Sequence, residues 1–256
     1  MSRRFIILAL SLCITTVTLA QTTITVLSYN INHGANPKGR NNLIRIGQLI
    51  RQYKPDLVAI QEVDSATRRS FHRNQVQQLA NLVSMTPLFG GALPFQGGWH
   101  GLGILSRFPI IASDKLLLPN PDSTVQRILL QAYIELPDGR TIRFCTTQLD
   151  PKSPFNRGLQ MATVKKTLAP SIQPVILTGD FNTDPYDPIV VKMKEEWDDA
   201  GEDAQLPTLV GTGARIDYVA TKKEQELELV RYRVLNEPNT SDHLPVLATY
   251  RFKKVK

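Results

Sequence analysis

Apolar runs in this chain stop, again and again, at a carboxylate or a carboxamide. Val26-Leu27-Ser28-Tyr29 leads into Asn30, and Leu57-Val58-Ala59-Ile60-Gln61 leads into Glu62. Val175-Ile176-Leu177-Thr178-Gly179 leads into Asp180, with Phe181-Asn182 behind it. Asp217 sits inside Arg215-Ile216-Asp217-Tyr218-Val219, and Ser241-Asp242-His243 stands just before another apolar run. Any one acidic residue at a strand end commonly caps a helix or closes a turn. A carboxylate at the end of a buried strand is costly, however, unless it is paired or bound to a cation. Five such places in one chain point to side chains that converge. Oxygen donors of this kind suit a hard cation, and an Asp–His pair suits proton transfer.

The elements that must carry these residues are legible as short runs rich in β-branched and aromatic residues. They are Ile24–Ile31, Leu57–Val63, Gly103–Ser106, Ile128–Leu136, Thr141–Leu149, Pro174–Leu177, Ile216–Ala220, Leu229–Leu235 and Leu244–Phe252. Pro137-Asp138-Gly139 between two of them is a hairpin turn signal. Helical periodicity runs over Asn41–Tyr53, where Leu43, Ile46, Leu49 and Ile50 form one stripe. Further helices are expected over Asn74–Val83, Asn156–Leu168 and Pro188–Glu196. Hairpins mixed with strand–helix alternations imply an α/β (α+β mixed) fold with helices outside mixed sheets. With 42% hydrophobic and 21% charged residues the chain can bury a sizeable core. No linker or repeat divides it, so residues 21–256 are expected to form one domain.

Tyr29-Asn30-Ile31, Ile60-Gln61-Glu62-Val63, Gly179-Asp180-Phe181-Asn182, Ile216-Asp217-Tyr218 and Ser241-Asp242-His243 together resemble the ordered motifs of the endonuclease/exonuclease/phosphatase superfamily. That group includes pancreatic-type deoxyribonuclease, apurinic endonucleases, neutral sphingomyelinases and inositol-polyphosphate 5-phosphatases. The resemblance runs from about Thr23 to Phe252, and five motifs in order make it specific. It implies a four-layer sandwich of two packed mixed β-sheets flanked by helices. It also implies a site for one or two Mg²⁺ or Mn²⁺ ions, with Glu62 as main ligand and Asp242 and Asn30 as further contacts. Asp180 would orient or deprotonate the attacking water, and Asn182 would hold water or a phosphate oxygen. His243 would donate to phosphate or to the leaving group, with Asp217 fixing its tautomer. No covalent intermediate is needed.

One position departs from the family pattern. Thr146-Thr147-Gln148-Leu149-Asp150 stands where many members have Thr-His-Leu, and Arg157 and Gln160 follow in the expected places. Apurinic endonucleases carry Tyr there. Gln148 can donate a hydrogen bond to phosphate but supplies neither positive charge nor a proton. His243 is then the one acid–base imidazole in the motif set.

Other candidates are less tied to a motif. Arg127, opening the run from Ile128, reads either as a phosphate contact or as a solvent-exposed strand-end arginine. Asn32 lies two residues past Asn30 on the same strand, so its side chain points to the same face, as an amide behind the site. His33 is a candidate for the site mouth. His72 among Arg68, Arg69 and Arg73 reads as a solvated basic loop or helix start, and Trp99-His100 as a glycine-flanked loop.

The N-terminus has its own signature. Arg3 and Arg4 precede an uncharged apolar run from Phe5 to about Ala20, ending Thr18-Leu19-Ala20. This pattern reads as a signal peptide over residues 1–20, cut near Ala20, for export to a periplasmic or extracellular space. The run is shorter than the roughly 20 residues of a bilayer span. Cleavage would remove Cys13 and leave Cys145 alone, so no intramolecular disulfide is expected. It would also take two charges from a formal net charge of +7. A modest basic excess suits an anionic substrate without naming it.

The expectation is therefore an exported, metal-dependent phosphoesterase acting on a phosphodiester: nucleic acid, a phospholipid head group or a small phosphorylated metabolite. It would work as a monomer, with no obligate protein partner. The alternative is a catalytically silent member serving as a secreted binding module, which Gln148 alone among the motif residues favours.

Overall fold

The first four strands and the last two build one sheet, and the six between them build the other. The computed structural model describes residues 23–253, so the leader expected over residues 1–20 lies outside the described residues. In chain order the elements are β1 (Thr23–Asn30), a 3-10 turn (Asn32–Gly34), α1 (Leu43–Tyr53), β2 (Leu57–Ser65), α2 (Gln75–Val83), β3 (Thr86–Phe95) and β4 (Gly98–Ser106). Then follow β5 (Ile110–Leu117), β6 (Ile128–Glu135), β7 (Thr141–Gln148), α3 (Pro154–Leu168), β8 (Val175–Asp180) and α4 (Pro188–Met193). The chain ends with β9 (Trp197–Asp199), β10 (Asp217–Lys222), β11 (Leu227–Val234) and β12 (Val246–Phe252).

The sheets run β11-β12-β1-β2-β4-β3 and β5-β6-β7-β8-β10-β9. Each has one parallel pair at its centre, β1 with β2 and β7 with β8, and antiparallel neighbours elsewhere. Parallel neighbours need a crossover, and α1 and α3 supply it. Strand alternation then sorts the apolar residues into layers. Val26, Leu57, Ala59, Ile104, Leu130, Phe144, Ile176 and Val219 meet between the sheets. Leu27, Val58 and Ile60 face outward against Ile46 and Leu49 of α1 and Val76 and Leu79 of α2. Cys145, Val175 and Leu177 face Met161 and Val164 of α3 and Val190 and Met193 of α4. Each fully buried aliphatic side chain stabilises this arrangement by about 1.5–3 kcal/mol. The result is the expected four-layer α/β sandwich.

Boundaries differ from the sequence reading for local reasons. α3 starts two residues early because Ser153 caps it, its hydroxyl accepting the Asn156 N–H at 3.0 Å, with Pro154 in the first turn. α2 starts as expected because Asn74 accepts the Gln77 N–H at 3.1 Å. Three strands were not foreseen: β3, β5 and β9. All lie at sheet edges. β3 holds two prolines and two glycines, β5 is almost wholly exposed, and β9 has three residues, so none carries the buried apolar signal. The Trp99-His100 segment is part of β4, not a loop, although the Trp99 side chain is exposed.

Candidate active site

The two parallel pairs bring four polar residues to one end of the sandwich. β1 and β2 deliver Asn30 and Glu62, and β7 and β8 deliver Gln148 and Asp180, which are partners in register. β10 runs the other way and opens at this same end with Asp217 opposite Asp180. Asp242 and His243 lead into β12, which lies antiparallel beside β1. Because β1 packs on β8 and β2 on β7 across the core, the two sets face each other.

Local backbone features aim these side chains. The β2–β4 register shifts between Ile60 and Val63, and Glu62 takes a left-handed φ of 53° there. That irregularity lets Gln61 point into the core, where its Nε2 meets Thr146 Oγ1 at 2.9 Å and Ser28 Oγ at 3.2 Å, while Glu62 turns to the site. Gly179 has φ 149°, and a Cβ there would stand 2.0 Å from the Thr147 carbonyl oxygen, so only glycine lets β8 press against β7. Asn182, at φ 52°, gives its backbone N–H to Asp180 Oδ1 at 2.9 Å and its amide nitrogen to the Leu149 carbonyl at 3.0 Å. Phe181 stacks on Tyr218 with ring centroids 4.6 Å apart, which clamps Asp180 and Asp217 side by side.

Two carboxamides bridge two carboxylates. Asn30 Nδ2 lies 3.1 Å from Asp180 Oδ2 and 3.3 Å from Glu62 Oε1. Gln148 Nε2 lies 2.8 Å from Glu62 Oε1 and 3.2 Å from Asp180 Oδ2. Arg127 is buried rather than solvent-exposed, and its Nη1 donates to Gln148 Oε1 at 2.5 Å. Burial alone would raise the Glu62 pKa, but hydrogen bonds from Gln148 and Asn30 and the nearby His100 and Arg127 charges hold it below the usual carboxylate range. Asp180 goes the other way: burial and the neighbouring Asp217 push it up to about 6.

Asp217 and His243 meet at this same end of the sandwich. His243 Nδ1 lies 2.9 Å from Asp217 Oδ2, and His243 Nε2 lies 4.0 Å from Asp180 Oδ2. Burial would lower the imidazole pKa, yet the Asp217 charge and hydrogen bond, with Asp180 behind, raise it to about 10. Thr208, unnoticed in the sequence, holds this corner. Its hydroxyl accepts the N–H groups of Ile216 and Asp217 at 3.0 Å each, and its carbonyl accepts Leu244 N–H at 2.6 Å. A buried loop threonine carries no sequence signal for such a role.

Some nominated residues stand differently. β1 ends at Asn30, and Asn32 begins the 3-10 turn at φ 44°, so strand alternation does not place its side chain beside Asn30. Its N–H caps Asn30 Oδ1 at 3.0 Å. Asn30 thereby turns its amide nitrogen, not its oxygen, toward Glu62 and Asp180. Asp242 is half-buried; its Oδ1 accepts Ser241 Oγ–H at 3.1 Å, and Ser241 Oγ also lies 2.9 Å from the Asn30 carbonyl. His33 is half-buried and lowered in pKa by burial and by the Arg69 charge. Arg69 itself is no solvated charge: it pairs with buried Asp64, two residues past Glu62, which also binds His100.

The donor set suits a hard divalent cation. Half-buried Glu62 neighbours the buried carboxylates Asp180 and Asp217, and Asp217 Oδ1 is buried without a partner. Asp180, Asp217 and His243 each offer a ligand atom within 4.8 Å of one another. Glu62 and Asp180 share the same two amide donors, so their charges crowd one spot that a cation would relieve.

The sequence pattern of the Endonuclease/Exonuclease/phosphatase family matches residues 27–243. Solved structures share the fold. A Beutenbergia cavernae endonuclease/exonuclease/phosphatase is 23% identical at a TM-score of 0.74, covering 90% of this chain and 72% of its own. A Bacteroides thetaiotaomicron mannosyl-6-phosphatase is 21% identical at 0.76, covering 90% of this chain and 100% of its own. The human nocturnin catalytic domain, solved with a bound sulfate anion, is 18% identical at 0.72, covering 91% and 97%.

Proposed function

The chain belongs to the endonuclease/exonuclease/phosphatase family, whose members are phosphoesterase hydrolases, and from that premise we propose that it is a divalent-metal-dependent phosphoesterase cleaving a phosphodiester by one in-line attack of water. The observation that carries this reading is the convergence of Asn30, Glu62, Gln148, Asp180, Asp217 and His243 at one end of the sandwich.

Glu62 is the assigned principal metal ligand, with Asp242 contributing; Asn30, whose oxygen is taken by the Asn32 N–H, would instead steady Glu62 and Asp180 through its amide nitrogen. Bound Mg²⁺ or Mn²⁺ would draw charge from the phosphate oxygens. Asp180, its pKa raised by burial and by neighbouring Asp217, is a stronger base than a free carboxylate and would take a proton from water as its oxygen bonds to phosphorus. His243, with a pKa of about 10, is protonated there, so Nε2 can donate to phosphate or to the departing oxygen as the P–O bond breaks. Asp217 accepts from Nδ1 and so holds the ring with Nε2 toward the phosphate. Asn182 and Arg127 would hold the phosphate.

The test is hydrolysis of bis-p-nitrophenyl phosphate with Mg²⁺ or Mn²⁺ and with EDTA, followed by DNA, RNA, sphingomyelin, phosphoinositides and sugar phosphates. Sugar phosphates belong in the panel because one protein of this fold is a mannosyl-6-phosphatase. No metal-dependent turnover on any of them would overturn the reading. We also propose export of a monomer after cleavage near Ala20, on the Arg3–Ala20 pattern. Mass spectrometry of the native protein should find its N-terminus near Gln21; an intact Met1 on protein in the cytoplasm would sink this.

A further inference from the structure

A second carboxylate–imidazole pair flanks the site. His100 stands opposite Asp64 in the β2–β4 register, and its Nδ1 lies 2.7 Å from Asp64 Oδ1. Buried Asp64 also accepts Arg69 Nε at 2.5 Å, Arg69 Nη2 at 3.0 Å and Thr67 Oγ1 at 2.9 Å. Arg69 Nη2 comes within 3.1 Å of His100 Nδ1 as well. A guanidinium only donates, so the two contacts make opposite demands on Nδ1. The shorter one, to a carboxylate, fixes Nδ1 as the protonated nitrogen. Arg69 is steadied over the Phe95 ring at 4.5 Å. Beside His100, Gly101 lets β3 close in: a Cβ there would stand 2.0 Å from the Gly90 carbonyl oxygen.

With Nδ1 committed, Nε2 is the ring atom left for a ligand. His100, Arg127 and Gln148 line one cavity of about 10 Å³, room for one water-sized group. Arg127 is only 7% exposed, and its Nε is buried without a partner. Gln148 offers this cavity no free donor, since its amide hydrogens go to Glu62 and Asp180 and its oxygen to Arg127. Since Nδ1–H is given to Asp64, Nε2 can donate only when the ring carries both protons, and a cavity with a guanidinium and an imidazolium in its wall fits a single anionic oxygen.

Resting on the phosphoesterase reading, we propose that this cavity seats one non-bridging oxygen of the substrate phosphate. His100 is then a substrate-contacting residue, and Asp64 and Arg69 are positioning residues. The site thus has an imidazole on each side, aimed by Asp217 in one case and Asp64 in the other.

The probe is inorganic phosphate, titrated calorimetrically into the Mn²⁺-loaded enzyme, beside kcat/KM for bis-p-nitrophenyl phosphate. His100→Ala should weaken phosphate binding and lower kcat/KM by about tenfold or more each, as expected for one charge-assisted hydrogen bond, with Tm nearly unchanged. Added imidazole should restore part of the turnover, which a merely structural residue would not allow. Asp64→Asn should add little to the loss in His100→Ala, because both act through one contact. If His100→Ala disturbs the fold, His100→Gln keeps the size and a donor and should bind phosphate with intermediate affinity. Wild-type phosphate affinity in a folded His100 variant would overturn the proposal, and full additivity would overturn the role of Asp64. Absence of turnover in the wild type would instead overturn the phosphoesterase reading, while phosphate binding would still judge the cavity.

Discussion

Gln148 Nε2 lies 2.8 Å from Glu62 Oε1, so the residue that replaces the family's frequent histidine is bonded to the proposed metal ligand. Its orientation is forced, because Arg127 can only donate and so must face the amide oxygen. From the sequence, Gln148 looked like a phosphate donor; in the structure its hydrogens are spent on Glu62 and Asp180. Gln148→Ala should lower kcat by about tenfold or more, because Glu62 and Asp180 lose a shared donor. Gln148→Glu should be worse, adding a charge beside them. A histidine here can accept from Arg127 and donate to Glu62 only when neutral. Gln148→His should therefore outperform Gln148→Ala above pH 7 and lose that advantage below about pH 6.5, where an ordinary imidazole is protonated. Steady-state rates across pH 5.5–8.5 would show it; a histidine variant most active at the acid end would refute the bridging role.

Glu62→Gln removes the charge and keeps the shape. Asn30 and Gln148 would then face an amide that can turn its oxygen toward them, so the fold should survive with Tm close to wild type. Metal-dependent turnover should fall by at least about a hundredfold, and Mn²⁺ affinity measured by calorimetry should fall with it. Near-normal turnover would remove Glu62 from the site.

Asp217→Asn tests the pair with His243. The folded pKa of His243 is raised to about 10 because the Asp217 charge outweighs burial. Without that charge, burial acts with less opposition and the imidazole loses its proton at lower pH. The alkaline limb of the rate profile should shift toward neutrality, and kcat at pH 8 should fall about a hundredfold or more. His243→Ala should be impaired at every pH. An unmoved alkaline limb in Asp217→Asn would assign that limb to another group.

Much of what converges at this end of the sandwich is legible in the sequence, for a physical reason. Asn30, Glu62, Asp180 and Asp217 interrupt buried apolar strands, where a polar residue is expensive and therefore informative. Asp217 and His243 stand 26 residues apart in the chain yet meet at 2.9 Å, a pairing that only the resemblance supplied. What escaped notice depends on edges and loops. β3, with Pro87, Gly90, Gly91 and Pro94, reads as anything but a strand, so His100 on its neighbour β4 seemed to lie in a loop. Arg69 looked like one charge in a basic run because its partner Asp64 lies earlier in the chain, and only the fold buries that carboxylate. Asn32 failed for a similar reason: the chain leaves β1 at Asn30 and turns left-handed, and alternation stops where the strand does.

Asp150 yields a stability prediction independent of the metal. It follows Gln148 and Leu149 into the loop before α3, is fully buried, and accepts Lys152 N at 2.8 Å, Ser153 N at 3.0 Å and Asn156 Nδ2 at 3.0 Å, with the Thr124 hydroxyl also bonded to it. Burial alone would raise its pKa; these donors outweigh it and lower the folded value to about 2. A depressed folded pKa means the ionised form stabilises the fold above the unfolded pKa of about 3.9. That contribution is lost as pH falls from about 4 through 2. Asp150→Asn keeps the size but puts an amide N–H₂ among groups that only donate there, so it should cost about 1–3 kcal/mol at pH 7. The gap from wild type should narrow below pH 4, because folding must then strip the proton that Asp150 carries in the unfolded chain. Urea melts of both proteins at pH 7, 4 and 3 would measure this, and a gap that stays constant across the three would show that the carboxylate charge does not hold the loop.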